Sequence, residues 1–343
     1  KSPLTVLDRP NSFIGKSISR SGAKRLLEGR GTFVDDMTLP RMVHVAFCRS
    51  PYAHATIGAI KSEAAQASPG VIGVVTGREL AEYCTPWIGV LTHLQGLKSA
   101  PQHAIAVDTA CWQGEAVAAV VAETRSQAED AVELMEIDYQ ELAVVADMET
   151  ALDDATPVIH ADLGDNLCFQ REVDIGDVDK AFADAHCVVE ETFNFGRHTG
   201  VCLETRAIIA DYKPAEEHLT VYLSAQAPHM MKNLYAKHFG LNEDKVRVVC
   251  KDVGGSFGIK VHTYPDEMAA AALSIMLKRP VKFNADRLES FVTDIHARDH
   301  RVKARMALSK EGKITAIDMD DLTGIGPYSV YPRTSGIEAN QVV

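Results

Sequence analysis

The chain has 343 residues, of which 46% are apolar and 24% are charged, and its net charge is −12. These values are typical of a soluble globular protein of two domains. The negative charge argues against a nucleic-acid surface, because phosphates are bound by clustered Lys and Arg, and no apolar run is long enough to cross a bilayer.

The first part of the chain predicts mixed strands and helices. Residues 12–33 hold four glycines and five basic residues, which indicates an extended arm followed by a turn. Apolar alternation and continuous apolar runs then predict strands, and the stripes at helical spacing predict helices. The strands are 42–48, 71–75, 115–123 and 137–139, and the helices are 63–67, 77–83 and 126–136. This order favours an α+β or α/β first domain that ends near Ala146.

An acidic segment with Pro157 and Gly164 follows and is interpreted as a linker. Beyond it we predict a strand-rich second part with two helices. The helix 228–239 ends before Gly240, a residue that commonly terminates helices, and the second helix begins at Pro265. The predicted strands are 187–195, 207–212, 219–224 and 246–250. The predicted division is an arm at 1–19, a first domain at 20–146, a linker at 147–166 and a second domain at 167–343.

The seven cysteines show no C-x-x-C spacing. Iron–sulfur clusters and structural zinc usually depend on such short spacings, so we expect neither group in this chain. Buried thiols in a reducing cytoplasm are the preferred interpretation.

The most unusual segment is VGGSFGIK at 253–260, between a predicted strand and a predicted helix. Glycines allow positive φ and let successive N–H groups point at an anion, whereas Phe257 would be exposed at the loop tip. A purely structural turn stays an alternative, because the spacing matches neither common phosphate-binding glycine motif.

Three further places carry polar groups that could take part in chemistry. Gln226 follows a strand and offers both a donor and an acceptor, although it could simply cap the next helix. Glu204 begins an apolar strand and could pair with Arg206 or with a backbone amide. His296 and His300 have helical i, i+4 spacing, but no third metal ligand is evident, and their charged surroundings from Asp286 onward indicate ion pairs.

Several segments, in order, resemble the large subunits of the molybdenum hydroxylases. This family includes xanthine oxidase, aldehyde oxidoreductase, nicotinate and quinoline hydroxylases and aerobic carbon monoxide dehydrogenase. The segments are GRGTFVDD (29–36), PYAHA (51–55), QAPH (226–229), VGGSFGIK (253–260), PVKFNADRLESF (280–291) and HARDH (296–300).

The resemblance implies an α+β fold, with an α/β hammerhead domain followed by the N-terminal part of a molybdopterin-binding domain. It implies that Gln226 hydrogen-bonds an oxygen ligand of molybdenum, without a direct metal ligand from the chain. It also implies that the loop holds the cofactor, through Gly254, Gly255, Ser256, Phe257 and Gly258.

The resemblance further implies hydroxylation of an aldehyde or an N-heteroaromatic ring with water as the oxygen donor. The expected cofactor is molybdenum-molybdopterin, in its cytosine dinucleotide form. Electrons would leave through [2Fe–2S] and FAD on partner subunits. Val261 stands where purine oxidases carry a substrate-binding glutamate, which disfavours a purine.

The family's general-base glutamate lies in a C-terminal half that these residues do not reach. The resemblance therefore implies that a C-terminal half or a second polypeptide completes the site, and no catalytic residue is assigned in this chain. Three alternatives remain: the large subunit of an aerobic carbon monoxide dehydrogenase, a non-catalytic assembly module, and a nucleotide-binding protein that uses the glycine loop.

Overall fold

The computed structural model describes residues 13–89, 94–297 and 299–330. Most of the predicted arm at 1–19 and the end of the chain from residue 331 lie outside this range. Within the predicted glycine-rich arm, a short helix, α1 (Ala23–Leu27), replaces part of the expected extended segment.

The first part of the chain confirms the predicted strands and helices to within a few residues. Helix α4 begins with a reciprocal cap, in which Thr124 accepts from the Gln127 backbone and the Gln127 side chain accepts from the Thr124 backbone. The elements are β1 (Val43–Arg49), β2 (Ala55–Lys61), α2 (Glu63–Gln66), β3 (Val71–Thr76), α3 (Gly77–Leu80), β4 (Thr109–Ala110), β5 (Ala116–Ala122), α4 (Arg125–Val132) and β6 (Glu136–Glu141).

The second part begins with α5 and ends with a long hairpin. The first predicted helix has the predicted bounds and the second begins where predicted, because Pro228 and Pro265 start them and Gly240, at φ 65°, terminates the first. The elements are α5 (Val178–Ala183), β7 (Cys187–Phe195), β8 (Ala207–Lys213), β9 (His218–Leu223), α6 (Pro228–Phe239), β10 (Val246–Val249), α7 (Pro265–Leu277), β11 (Val281–Asn284), α8 (Arg287–Thr293), β12 (His300–Leu308) and β13 (Ile314–Thr323).

One seven-stranded sheet takes strands from both parts of the chain. Its order is β10-β9-β8-β11-β1-β5-β3, and β1 joins β11 in parallel, with Val43 opposite Val281. All seven residues of β5 are buried, which agrees with their continuous apolar sequence. Helix α7 packs on β8 and β11 through a run of buried alanines, whose small side chains allow close approach to the sheet.

The described residues also form two three-stranded sheets. The first has the order β4-β2-β6, and the second has the order β13-β12-β7. Every residue of β7 is exposed, including Val189 and Phe193. An apolar strand with this exposure leaves a surface on which another polypeptide could pack.

Three differences from the sequence predictions have local causes. Strands β2, β4, β11, β12 and β13 were not predicted, and of these β12 and β13 each carry three or more charged residues and are mostly exposed or half-buried. His296 and His300 do not share a helix: His300 opens β12, and its Nδ1 lies 3.0 Å from the Asp321 carboxylate on β13. The expectation of buried thiols holds for Cys84 and Cys202 but is wrong for Cys187, which is exposed.

Candidate functional site

Gln226 lies just beyond the end of β9, before the first turn of α6. Its backbone N–H donates to the carbonyl of Lys260 at 2.9 Å, and its side-chain Oε1 accepts from the Ser256 hydroxyl. The alternative that Gln226 caps α6 is wrong, because the N-cap residue is Ala227 and no side-chain capping bond is present. Within the described residues, the side-chain NH₂ of Gln226 has no acceptor, so this donor is left for a ligand.

The glycine loop, residues 254–258, connects β10 to the segment before α7. Its backbone has positive φ at Gly255 (101°), Phe257 (50°) and Gly258 (92°). No described residue accepts a hydrogen bond from the N–H groups of 255–258, so four donors gather in one short loop. Such a group of donors is suited to anionic oxygens.

Phe257 is 78% exposed at the tip of this loop, as the sequence predicted. A non-glycine residue in the left-handed region carries backbone strain, and strain of this kind clusters at ligand-binding sites. The neighbouring segment exposes Leu203 at 92%, and Arg287 at the start of α8 holds that segment by donating to the carbonyls of Cys202 and Leu203. An apolar rim therefore borders the donors.

Glu204 lies in the loop before β8 and not in the strand, which begins at Ala207. It does not pair with Arg206. Instead its Oε2 accepts from the Ser224 hydroxyl, the Gly254 N–H and the Lys260 ammonium, each at 2.7 Å. The expected pairing with a backbone amide is thus confirmed, and the two side-chain partners are additional.

Arg206 organises a buried ionic cluster that the sequence analysis missed. It is fully buried and makes a bidentate pair with Asp266, at 2.5 and 2.8 Å, and a bond of 2.7 Å to Asp294. Its guanidinium carbon lies 3.8 Å from the centroid of the Tyr264 ring. Burial opposes ionisation of Asp266, but Arg206 outweighs it and lowers the pKa of that carboxyl to about 2.

The charged segment from Asp286 to Asp299 is largely ion-paired or capping, as predicted. Asp286 caps α8 by accepting from the Glu289 backbone, and the Glu289 carboxylate pairs with Arg49 at 2.6 Å. Arg298 lies outside the described residues. The Asp286 cap and the Glu289–Arg49 pair therefore fix the start of α8.

The N-terminal segment also braces the start of the glycine loop. Arg25 makes a bidentate pair with Asp252, at 2.5 and 2.7 Å, and the Thr32 N–H donates to the same carboxylate at 2.7 Å. The bond from Arg25 and the Thr32 amide lower the pKa of Asp252 to about 2. Residues 25–32 therefore hold the backbone that leads into the loop.

The described residues contain neither a metal-binding cluster nor a helix that could span a membrane. No group of three or more His, Cys, Asp and Glu side chains is arranged to hold a metal ion. None of the described helices has the length and apolar content needed to span a membrane.

Comparison with protein-family models gives two matches. The molybdopterin cofactor-binding domain matches residues 159–340, and the a/b hammerhead domain of aldehyde oxidase and xanthine dehydrogenase matches residues 28–143. These matches confirm the α+β class and the order of the two folds. The exact boundaries at 20–146, 147–166 and 167–343 stay predictions.

Individual relatives give the same result. The nicotine 6-hydroxylase large subunit of Paenarthrobacter nicotinovorans is 35% identical over 95% of this chain and 40% of its own length. The carbon monoxide dehydrogenase large chain of Hydrogenophaga pseudoflava is 33% identical over 89% of this chain and 39% of its own. The crystal structure of quinoline 2-oxidoreductase from Pseudomonas putida 86 superposes with a TM-score of 0.89, at 33% identity, over 93% of this chain and 40% of that one. The chain thus spans about two fifths of the length of these relatives.

Proposed function

The chain belongs to the family of the molybdopterin cofactor-binding domain, and from this we propose that it forms part of the molybdenum-binding subunit of a hydroxylase. The proposed reaction is the water-dependent hydroxylation of an N-heteroaromatic ring or an aldehyde. The observation that carries the proposal is the convergence of the Gln226 amide and the glycine loop at one surface.

The residues present suit a molybdopterin cofactor. The cofactor carries anionic oxygens, and the loop supplies four N–H groups without an acceptor in the described part of the chain. Gly254 has no room for a side chain, since an added Cβ would lie 2.5 Å from the Cβ of Glu204. Glycine at this position keeps the loop against Glu204, and the open side of Gly258, where an added Cβ would meet no atom within 4 Å, leaves room for a large polar ligand near the main-chain donors.

Each residue of the site then has a definite role. When bound, the molybdenum cofactor supplies two-electron oxidation of the substrate carbon with oxygen from water. The Gln226 NH₂ would donate to an oxygen ligand of the cofactor, while Ser256 holds the other end of that amide. Gly254, Gly255 and Gly258 keep the backbone close to the cofactor, and the exposed ring of Phe257 would cover it and exclude water.

We further propose that additional polypeptide segments, beyond these residues, complete the active site and the electron-transfer path. The general-base glutamate would come from a C-terminal half, on the same or a second chain, and FAD and [2Fe–2S] from partner subunits. The exposed apolar face of β7, with Val189 and Phe193, supports such a packing partner. The seven cysteines, all without a disulfide, support a cytoplasmic location. The cytosine dinucleotide form of the cofactor remains part of this proposal.

An N-heterocycle is the favoured substrate class. The nicotine hydroxylase and quinoline oxidoreductase named above support it, and Val261 in place of the purine oxidases' glutamate disfavours a purine. Carbon monoxide is the second candidate, because the carbon monoxide dehydrogenase large chain is 33% identical. A non-catalytic assembly module and a nucleotide-binding protein are the remaining alternatives.

The test is elemental analysis of the complex purified from its native host, followed by assays with quinoline, nicotinate, benzaldehyde and carbon monoxide. We expect about one molybdenum per chain, together with iron and additional polypeptides. Replacing Gln226 by Ala should lower turnover roughly 100-fold, as loss of one preorganised donor does, with the exposed Gln140→Ala as control. A complex without molybdenum would overturn the proposal in favour of an assembly module, and nucleotide bound without pterin would favour the nucleotide-binding alternative.

A further inference from the structure

A single carboxylate oxygen joins three segments around the glycine loop. Glu204 Oε2 accepts from Ser224, which follows β9, from the Gly254 N–H at the loop start, and from Lys260 beyond the loop end, each at 2.7 Å. The Glu204 backbone N–H also donates to the carbonyl of Gly254 at 3.1 Å. Both ends of the loop are therefore tied to one residue.

The ion pair between Glu204 and Lys260 is shielded from water. The Lys260 side chain is 1% exposed and that of Glu204 is 12% exposed. A charge in such surroundings is strongly destabilising without its partner, so each residue of the pair requires the other. The pair is also sterically enclosed, because Gly254 packs directly against the Glu204 side chain.

Lys260 transmits this constraint to the candidate ligand donor. Its carbonyl accepts from the Gln226 N–H at 2.9 Å, and its N–H donates to the Ser256 hydroxyl oxygen at 3.2 Å. That hydroxyl in turn donates to Gln226 Oε1. The Gln226 amide is therefore held from its backbone and from its side chain by groups that the Glu204–Lys260 pair locates.

We propose that Glu204 and Lys260 form a positioning pair that sets the conformation of the glycine loop and the direction of the Gln226 amide. Neither residue need touch a ligand. This inference rests on the proposed function only for the identity of the ligand, because the tie between the pair and the loop is a property of the chain itself. It assigns Glu204 a role through the loop, distinct from the buried Arg206 cluster in the core.

The test uses the complete complex with Glu204→Gln, Lys260→Met and both changes together. Asp35→Asn is the matched control, since Asp35 pairs with the buried Lys282 at 2.9 Å but does not contact the loop. Amide hydrogen exchange of residues 226, 254, 259 and 260, whose N–H groups are hydrogen-bonded around the loop, should become about tenfold faster in each single variant, as expected for loss of a charged hydrogen bond. The control should leave exchange in this region unchanged.

The double variant tests whether Glu204 and Lys260 act together as a pair or contribute independently of each other. Removing both charges should destabilise the complex less than Lys260→Met alone, because no lone buried carboxylate remains. In the molybdenum-loaded complex, Glu204→Gln should change the metal's electron paramagnetic resonance spectrum and lower kcat more than it raises KM, whereas Asp35→Asn should do neither.

The outcomes distinguish the two proposals. Unchanged loop exchange with strictly additive variant effects would overturn the positioning pair, whatever the metal content. Absence of molybdenum from the wild-type complex would overturn the proposed function, while altered loop exchange and non-additivity would still establish the pair.

Discussion

At the scale of single residues, Gly254 is the most tightly constrained position of the loop. Its backbone forms two bonds with Glu204, and an added Cβ would meet the Glu204 Cβ at 2.5 Å. A contact this short with a side-chain atom next to the backbone cannot be relieved by rotating a flexible side-chain end. Either the loop or residue 204 must move.

We therefore expect Gly254→Ala to destabilise the chain by about 1–3 kcal/mol, the usual range for an overpacked site, and to reduce retained molybdenum. Gly312→Ala is the control, because an added Cβ at Gly312, in the β12–β13 turn, meets no atom within 4 Å, and only its φ of 76° opposes a side chain. It should show only the backbone cost of about 1–2 kcal/mol and normal metal content. Urea unfolding and elemental analysis measure both, and equal metal content in the two variants would contradict the steric argument.

At the scale of elements, the Arg206 cluster joins β8, α7 and α8 beneath the site. Arg206 bonds to Asp266 at the start of α7 and to Asp294 just after α8, and Asp266 also accepts from Arg49 on β1 at 3.0 Å. Arg206 and Asp266 together thus link segments at β8, α7, α8 and β1. The ionised Asp266 carboxylate also lies in the first turn of α7, where a negative charge interacts favourably with the helix dipole.

Arg206→Met should lower the free energy of unfolding by about 3–5 kcal/mol, because Asp266 and Asp294 would keep buried charges without their main partner. Arg78→Met is the matched control, since the Arg78–Asp108 pair is exposed, and its loss should cost about 1 kcal/mol or less. Chemical denaturation compares the two. A similar small loss in both variants would show that the cluster is not coupled to folding.

Glu267 should make stability depend on pH. Burial, only partly offset by Arg206 at 3.5 Å, raises its pKa from the ordinary 4.5 to about 8. Between these values the folded chain keeps a proton that the unfolded chain has released, so the free energy of unfolding falls as the pH rises. Below 4.5 both states are protonated, and above 8 both are charged, so the dependence flattens.

Glu267→Gln should remove the contribution of Glu267 to this decrease in the free energy of unfolding. Relative to wild type, the variant should therefore be more stable at pH 9 than at pH 4. Some dependence should persist, because burial also raises the pKa of Glu115 to about 7. Urea unfolding at a series of pH values is the measurement. Parallel curves for wild type and variant from pH 4 to 9 would contradict an uncharged Glu267 in the folded chain.

At the scale of the whole molecule, the large sheet crosses the predicted linker. Strands β1, β3 and β5 precede residues 147–166, and β8 to β11 follow them, with β1 and β11 hydrogen-bonded in parallel. The hydrophobic core on this sheet is continuous from Val43 to Phe283. The two family-matched regions are thus parts of one folded unit.

Cleavage at a protease site inserted into 147–166 should therefore leave two fragments that remain associated. Separation would expose the paired edges of β1 and β11 and the apolar residues around them. Size-exclusion chromatography of the cleaved chain should give one peak that contains both fragments. Two separate, folded fragments would show that the regions are independent domains.

Local chemistry explains which features could be predicted from the sequence. Pro228 and Pro265 mark the starts of α6 and α7, and Gly240 marks the end of α6, because these residues restrict or free the backbone at their own positions. The buried strand β5 was recognisable because its sequence is apolar throughout. The exposed Phe257 and the unusual glycine loop were also recognisable. The half-exposed strands β12 and β13 were not predicted. They are held by hydrogen bonds to each other, and neither strand's own sequence shows which segment it pairs with.

The sequence by itself determined the fold family, the glycine loop and the candidate donor Gln226, because these depend on residue type and on short-range order. Only the tertiary structure decided which ion pairs and hydrogen bonds hold the loop and the surrounding segments in place. Glu204 reaches Lys260 across 56 positions, and Arg206 reaches Asp294 across 88. Such pairs depend on the crossing of distant segments, and a carboxylate in a sequence does not specify which of many cations it will meet.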